Sequence, residues 1–252
     1  MTIDAPVKEQ IPMLRQLWQD TFGDSDTFLD CFFSLAFSPE RCRCVAEDGQ
    51  VQAALYWFDC SCRGEKMAYL YAVATAEVHR GKGLCRALME DTHRHLRHLG
   101  YRAAILVPAG VALRQMYAGM GYLPGTAVSE LTCRAGTEAV ALQKLDASEY
   151  ERRRRTLLGE DAVLQEGAFT TLLENLCDLY GGDGFLLAAQ TEDGILQAEE
   201  LLGDVAAAPG ILRRLGVEEG CFRIPGVDKP FAMYRPLVED CPQPGYFGIS
   251  FG

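Results

Sequence analysis

Residues 77–89, EVHRGKGLCRALM, decide the fold because they place a glycine-rich loop directly before an amphipathic helix. From Leu84 onward, apolar residues recur at helical spacing. The first N–H groups of a helix lack intrahelical acceptors and carry partial positive charge. Glycine lets an anion approach such groups closely. Together with the cations Arg80 and Lys82, residues 80–85 predict a site where main-chain N–H groups hold a phosphate or pyrophosphate. The stretch fits neither the Walker loop nor the dinucleotide-binding fingerprint.

The segments around this loop predict a mixed sheet covered by helices. An apolar, β-rich run precedes the loop at residues 66–75, KMAYLYAVAT, and is predicted to be a buried strand. Two further strands are predicted within residues 42–61, joined at Asp48-Gly49, a dipeptide typical of hairpin turns. The element order over the first 135 residues is α-α-β-β-β-α-β-α-β-β. The helices are predicted at 7–20, 24–37, from 84 and at 110–118, and the later strands at 102–107 and 128–134.

This loop and its flanking elements resemble the acetyl-CoA loop of the GNAT superfamily of N-acetyltransferases. The family's pattern is Arg or Gln, two residues, Gly, one residue, then Gly or Ala, between a central strand and a helix. Arg80 and Gly83 match it, and Cys85 stands where Gly or Ala is usual. The resemblance extends over residues 45–121, because the element order is also the family's. It implies a GNAT-like α/β fold, acetyl-CoA as co-substrate without a metal, and direct acetyl transfer to an amine.

The resemblance also implies roles for particular residues. Tyr117, in LRQMYAGMGYLP, stands where many GNAT proteins carry a tyrosine before a Gly-Phe or Gly-Tyr pair. There it would protonate the departing CoA thiolate, although an amphipathic helix could also place it in the core. The strand end would hold the pantetheine arm and polarise the acetyl carbonyl through its main chain. With the loop, the implied cofactor-binding residues are Val73, Ala74, Thr75, Arg80, Gly81, Lys82, Gly83, Leu84 and Cys85.

The general base is left open by the sequence. Some GNAT enzymes carry a glutamate on the strand predicted at residues 66–75, and this strand has no carboxylate. Glu65, Asp59 and Glu130 are nearby acids that are each more typical of a solvated surface. Water bound by Tyr69 or Tyr71 is another candidate.

The second half of the chain is predicted to be a degenerate copy of the first. It again shows two helices and then a hairpin, and Glu47-Asp48-Gly49 recurs as Glu192-Asp193-Gly194. No glycine-rich loop follows the second hairpin. We therefore expect an acetyl-CoA-binding domain over residues 1–136 and a degenerate GNAT-like domain over residues 137–252. Such a tandem is similar to the enhanced intracellular survival proteins without their extra C-terminal domain.

That resemblance raises a hypothesis about the apolar tail, YFGISFG. The enhanced intracellular survival proteins use a terminal carboxylate as the base. Here the tail would dock near the first half's site, and the Gly252 carboxylate would serve there. The alternative is that the tail forms an ordinary final strand.

The composition of the chain limits the classes of partner that it is expected to bind. The net charge of −11 argues against nucleic-acid binding and favours a cationic small-molecule or peptide amine as acceptor. No signal peptide or membrane-spanning run is predicted, so a cytoplasmic location is expected, and ten cysteines are then expected to be reduced. The spacing of Cys42, Cys44, Cys60 and Cys62 across the hairpin argues against a zinc site. The sequence leaves open whether the chain forms an oligomer.

Two basic clusters are interpreted as surface features. The run at residues 152–155, RRRR, lies on a predicted helix and spreads around its axis. His93, His95 and His98 lack the i,i+4 spacing of a helical metal site. Two alternative functions stay open. One is an acyl-CoA sensor or regulatory module without turnover, and the other is an interaction scaffold that binds no CoA.

Overall fold

Helices and strands alternate along the chain in two similar series. The computed structural model describes residues 1–251. Its α-helices are α1 (Ile11–Phe22), α2 (Asp26–Leu35), α3 (Leu84–His98), α4 (Val111–Ala118), α5 (Ala147–Leu157), α6 (Ala168–Leu176) and α7 (Ala208–Leu215). Short 3-10 turns lie at Lys8–Gln10, Pro39–Arg41, Glu77–His79 and Val205–Ala207. In the part of the chain described, no helix combines the length and apolar character needed to cross a membrane.

The strands follow the same two series. In the first half they are β1 (Thr2–Asp4), β2 (Cys42–Glu47), β3 (Gln50–Cys62), β4 (Glu65–Thr75), β5 (Ala103–Leu106), β6 (Leu123–Pro124) and β7 (Ala127–Arg134). In the second half they are β8 (Gln143–Lys144), β9 (Leu164–Gln165), β10 (Asp178–Gly181), β11 (Phe185–Glu192), β12 (Ile195–Gly203), β13 (Glu219–Pro225), β14 (Lys229–Pro230) and β15 (Met233–Pro236).

Two mixed sheets of the same design confirm the predicted fold class. The first has the strand order β1-β2-β3-β4-β5-β15-β6, with β9 paired to β3 beside this path. The second has the order β8-β10-β11-β12-β13-β7-β14. In each sheet the junction between the fourth and fifth strands is parallel and the other neighbours are antiparallel. The chain is therefore a tandem of GNAT-like sheets covered by helices.

Each half of the chain contributes to the other half's sheet: β7 of the first half joins the second sheet, and β15 and the short β9 of the second half join the first. β15 lies between β5 and β6 in the first sheet, and β7 lies between β13 and β14 in the second. Tyr234 of β15 pairs with both Ile105 and Leu123. The domain boundary near residue 136 stays a prediction about function. Each of the two sheets contains strands from both sides of this boundary.

The sequence repeat was assigned to the wrong pair of hairpins. Asp48-Gly49 joins β2 to β3, whereas Asp193-Gly194 joins β11 to β12, which correspond in sheet order to β3 and β4. Asp48 and Asp193 have φ values of 50° and 51°, and the glycines that follow have 80° and 79°. Turns with two positive φ angles favour an Asx-Gly pair wherever they occur. The shared motif therefore reflects turn chemistry, and the real repeat lies in the topology.

A β-bulge changes the predicted register of the first hairpin. Ala46 pairs with Val51 and Val45 with Ala53, so one residue of β3 has no partner of its own. Counted without a bulge from the Glu47–Gln50 pair, the register predicts Cys44 opposite Ala53 and Cys42 opposite Leu55. In the structure Cys44 pairs with Ala54 and Cys42 with Tyr56. Within residues 1–251, no group of three or more His, Cys, Asp or Glu side chains could hold a metal ion.

Two elements of the second half differ from the prediction made from the sequence. The apolar spacing of residues 168–180 predicts one amphipathic helix over the whole segment. The helix, α6, ends at Leu176, because residues 178–181 alternate between exposed and buried positions as strand β10. The tail is no final strand: among its described residues only Tyr246 forms a β-bridge, to Ala162. Residues 246–250 of the tail are nevertheless buried.

The largest apolar core lies between the two sheets and joins the halves. It contains the inner faces of α1, α2 and α6, side chains from both sheets, and tail residues Phe247 and Ile249. Trp18 is at its centre, with its ring centroid 4.5 Å from Phe32 and 5.0 Å from Tyr56. Separate cores lie on the outer faces, under α3 and α4 in the first sheet and under α7 in the second.

Two residues expected at the surface are buried. His93 of α3 is 2% exposed, because the hydroxyl of Tyr122 gives its Nε2 a polar partner at 2.8 Å. Burial lowers the pKa of His93 to about 3, with further contributions from the charges of Arg235 and Arg97. Arg154 of the RRRR run is also 2% exposed, because Glu200 neutralises it in the core between the halves.

The strand exchange predicts that the halves do not fold alone. A fragment of residues 1–136 lacks β15, so β5 and β6 lose the strand that joins them and expose apolar edges. We expect this fragment to show no cooperative thermal unfolding by circular dichroism, whereas the whole chain unfolds in one transition. A fragment that melts cooperatively with native-like near-ultraviolet signal would contradict the dependence of the first sheet on β15.

Candidate active site

The site begins where β4 and β5 separate. These parallel strands pair over three residues each, Met67–Tyr69 with Ala103–Ile105. Beyond Tyr69, the ladder of β4 within residues 1–251 continues only on the other side, with β3. Parallel strands that diverge leave main-chain N–H and C=O groups without ladder partners, which a ligand can then bind.

A strained bulge lies in the separated part of β4. Ala54 pairs with Ala74 and Tyr56 with Tyr71, so two residues, Ala72 and Val73, lie opposite one residue of β3. Ala72 has a φ of 47°, an unfavourable value for a residue with a Cβ. Such bulges bend a strand and redirect its main chain. The GNAT resemblance implies a splay at this strand end, and the structure contains a splay together with a bulge.

A cavity of about 350 Å³ opens at this separation. One side comes from β4, β5 and the segment leading to α4, including Val73, Val107 and Tyr117. The other side comes from α1, the turn after it and α2, and the tail closes part of it. Those residues are Trp18, Phe22, Asp24, Phe28, Ser250 and Phe251. The lining is mainly apolar and aromatic, as is typical of a small-molecule site.

The glycine-rich loop has the geometry of an anion cradle. Gly81 and Gly83 have φ values of 76° and 80°, which favour glycine, and no atom lies within 4 Å of a Cβ built on either. The first helical hydrogen bond of α3 runs from Ala87 N to the Gly83 carbonyl. The N–H groups of the first turn, residues 84–86, therefore have no intrahelical acceptor and point out of an exposed loop.

The two loop cations have different local partners. Arg80 donates from Nε to the Thr75 carbonyl at 3.2 Å and thereby ties the loop to the end of β4. Lys82 Nζ lies 3.4 Å from Nδ1 of His79. Both side chains are exposed and carry no carboxylate partner among the ion pairs of the described chain. The loop thus presents positive charge beside free N–H groups.

Tyr117 lies in the cavity wall on α4. Its side chain is 6% exposed and its ring centroid is 5.6 Å from that of Tyr122. Burial raises the pKa of Tyr117 above its usual value, and the nearby Cys85 thiol adds to the shift. The phenol is therefore protonated at neutral pH, which is the state needed to donate a proton.

Of the expected main-chain binding residues, Val73 lines the cavity and the other two lie just beyond it. Ala74 and Thr75 pair with Ala54 and Ala53 of β3. Ala76 N donates to a carbonyl of β3, and N–H groups alternate sides along a strand. The N–H of Thr75 consequently points to the side that β5 has vacated.

The acids considered as a base lie away from the cavity. Glu65 approaches Arg102 at 3.5 Å, Asp59 accepts from Arg41 at 2.7 Å, and Glu130 pairs with Lys229. Tyr69 and Tyr71 do line the cavity, and burial raises the pKa of both phenols. Gly252, whose carboxylate was the remaining hypothesis, lies outside the described residues.

Asp24 is the functional candidate that sequence reasoning missed. From the sequence alone, Asp24 or Ser25 could cap α2, and Ser25 is the cap because its side chain accepts from Phe28 N at 3.2 Å. Among the described residues that line the cavity, Asp24 has the one carboxylate, and it accepts from Trp18 Nε1 at 2.7 Å. Its position in a short turn between two amphipathic helices was visible in the sequence, but the cavity that it faces was not.

These features define an α/β acyltransferase fold with an anion-binding loop beside a separated strand. Residues 2–125 match the family described as acetyltransferase (GNAT) domain. Residues 2–125 therefore form a GNAT acetyltransferase domain, and the chain is an acyltransferase with acetyl-CoA as co-substrate. No curated protein matches the chain significantly in sequence.

Solved structures show the same tandem fold at low sequence identity. Eis1 from Mycobacterium abscessus is 11% identical, with a TM-score of 0.69 over 94% of this chain and 74% of that one. A GCN5-related N-acetyltransferase from Anabaena variabilis is 14% identical, with a TM-score of 0.72 over 94% and 73%. A putative acetyltransferase from Pyrococcus horikoshii is 13% identical, with a TM-score of 0.66 over 98% and 93%. These similarities extend across both sheets and establish the fold.

Proposed function

We propose that the first half moves an acetyl group from acetyl-CoA directly to a cationic amine. The observation that carries this proposal is the meeting of three features at one cavity: the bulged free end of β4, the wall with Tyr117, and the carboxylate of Asp24. The loop at residues 80–85 lies beyond the end of β4, on the path that the nucleotide end of acetyl-CoA would take.

The loop binds the pyrophosphate in this proposal. The N–H groups at residues 81–85 and the charges of Arg80 and Lys82 face the anion, while Leu84 anchors the helix in the core. Cys85 is half-buried, so it replaces the family's small residue without blocking the loop. The main chain of residues 73–75 then holds the pantetheine arm and polarises the acetyl carbonyl.

The transfer needs few chemical groups because both reactants are held together. The arriving ammonium group first releases one proton to solvent. The neutral amine then attacks the thioester carbonyl, a C–N bond forms and the C–S bond breaks. Tyr117 gives its proton to the departing thiolate sulfur. The proton lost by the amine restores the phenol, so the products are an N-acetyl amine and CoA.

The acceptor side of the cavity favours a cation. Asp24 supplies a negative charge, and the rings of Trp18, Phe22 and Phe28 supply faces that attract an ammonium group. This arrangement agrees with the acidic composition of the chain. The acceptor class we propose is therefore a small-molecule or peptide amine that arrives as a cation.

The second half serves a different purpose in this proposal. α7 begins after a 3-10 turn with a proline in its first turn, and no positive-φ glycine precedes it as Gly83 precedes α3. It therefore lacks the cradle that an acyl-CoA would need. We propose that residues 137–252, apart from β15, form a non-catalytic copy that walls the acceptor site.

Replacing Tyr117 with Phe tests the acid. Loss of a general acid lowers turnover by about 10²- to 10⁴-fold, and we expect kcat to fall this far while the Kd for acetyl-CoA stays the same. The matched control is Tyr122→Phe, which removes the neighbouring phenol and its contact with His93. Thiol release from acetyl-CoA with a panel of amines measures turnover. Acetyl-CoA binding without thiol release in the wild type would instead support the sensor function.

Replacing Asp24 with Asn tests the acceptor class. The amide keeps an acceptor for Trp18 Nε1 and removes the charge, so we expect KM for cationic amines to rise about tenfold, a loss of about 1.4 kcal/mol. Asp26→Asn is the control, because Asp26 is exposed and pairs with Arg15 outside the cavity. Equal KM values in the two variants would show that the Asp24 charge does not bind the acceptor.

A further inference from the structure

The second sheet keeps an opening like that between β4 and β5. β12 and β13 are parallel over Ile195–Ala198 and Glu219–Phe222, and this ladder ends there. Directly beyond it β12 carries a bulge, because Ala189 pairs with Ala198 and Ala188 with Glu200. Glu199 is the extra residue. The degenerate copy therefore preserves a separated, bulged strand without a phosphate-binding loop.

The tail of the same chain lies across this opening. Arg223 of β13 donates to the Gly248 carbonyl at 3.3 Å, and the Tyr246 hydroxyl donates to Glu200 of β12 at 3.0 Å. Gln165 and Val163 bind the main chain on the other side, at the Ile249 and Tyr246 carbonyls. Residues 246–249 are thus held by side chains and main chain from several elements of the second half.

Gly248 fits this position because the main chain approaches closely. A Cβ on Gly248 would overlap the Tyr246 hydroxyl and lie 2.8 Å from Oε1 of Glu200. A larger residue at this position would therefore displace these side chains. The segment is therefore fitted to the opening by shape as well as by hydrogen bonds.

A buried ion pair lies under the tail. Glu200 is 0% exposed and receives two hydrogen bonds from Arg154, at 2.7 and 2.9 Å. The hydroxyls of Tyr150 on α5 and Tyr246 on the tail each donate to it at 3.0 Å. A buried carboxylate is stable only when its oxygens are satisfied in this way. One of these four donors belongs to the tail, so the pair holds the tail in place.

Held in this way, the tail reaches the acceptor side of the first half's cavity. Ser250 and Phe251 line that cavity. The Phe251 ring stacks on Phe169 of α6, with centroids 5.0 Å apart, and lies 6.3 Å from the ring of Tyr71 on β4. A wall of the site on the first sheet is thus set by contacts in the second half.

We infer that the opening of the second sheet is a seat for the chain's own segment 246–251. Tyr246 is the positioning residue: through Glu200 and Arg154 it fixes Phe251 as the wall that selects the acceptor by size. The inference rests on the proposed function, because it assigns the wall to the acceptor side of that site.

Tyr246→Phe and Tyr150→Phe are matched tests. Each removes one phenolic hydroxyl that donates to Glu200 at the same distance, but only Tyr246 lies on the tail. A hydrogen bond to a charged group accounts for about a tenfold effect or more. In Tyr246→Phe we therefore expect KM for bulky amines to fall about tenfold relative to KM for small amines, with KM for acetyl-CoA unchanged. We also expect faster amide hydrogen exchange in residues 246–251. Tyr150→Phe should change neither quantity.

Phe251→Ala tests the wall directly. Removing the ring should lower KM for bulky amines relative to small ones, while hydrogen exchange at residues 246–249 stays slow. Equal effects of the two tyrosine variants would overturn the positioning role, since both would then act only on stability. An unchanged size preference in Phe251→Ala would overturn the wall. If the wild type acetylates no amine, the proposed function and the wall both fail. The exchange difference between the tyrosine variants still decides whether Tyr246 seats the segment.

Discussion

The separation of β4 from β5 after three paired residues is the constraint on which the site depends. It frees one side of the β4 main chain, and the bulge at Ala72 turns that main chain toward the cavity. The loop before α3 lies directly beyond the strand end, and Arg80 ties it there through the Thr75 carbonyl. A strand that stayed paired along its length would leave neither the cavity nor the free N–H groups.

The second sheet shows what the same topology does without the loop. Its β12 and β13 also separate, and β12 also carries a bulge, but a peptide segment lies across the opening. The strand exchange and the shared core bind the two copies to each other. In our proposal the second half keeps the topology of the first and contributes a wall to its site. The buried Arg154–Glu200 pair lies within the second half and binds the tail through Tyr246.

The sequence predicts the fold class and the loop because both follow from local rules. Apolar spacing located α1, α2, α3 and most strands, and the glycines at 81 and 83 marked the helix entrance correctly. The errors arise where long-range contacts decide. His93 and Arg154 are polar residues buried by partners far along the chain, Tyr122 and Glu200. The exchange of β7 and β15 leaves no local signal in the sequence. The residue pattern that predicts a strand does not show which of the two sheets the strand joins. Asp24 was passed over because its role depends on a cavity formed by β4, α4 and the tail.

The central claim is that acetyl-CoA binds at the loop before α3, and calorimetric titration tests it most directly. Gly83→Asp places a carboxylate and a strained Cβ at the predicted anion site. Gly100→Asp is its match, because Gly100 has a φ of 83° and open space around it at the other end of the same helix. We predict that Gly83→Asp weakens acetyl-CoA binding by about tenfold or more, equivalent to about 1.4 kcal/mol, and that Gly100→Asp binds like the wild type. Equal affinity in all three proteins, or no binding by the wild type, would contradict the account.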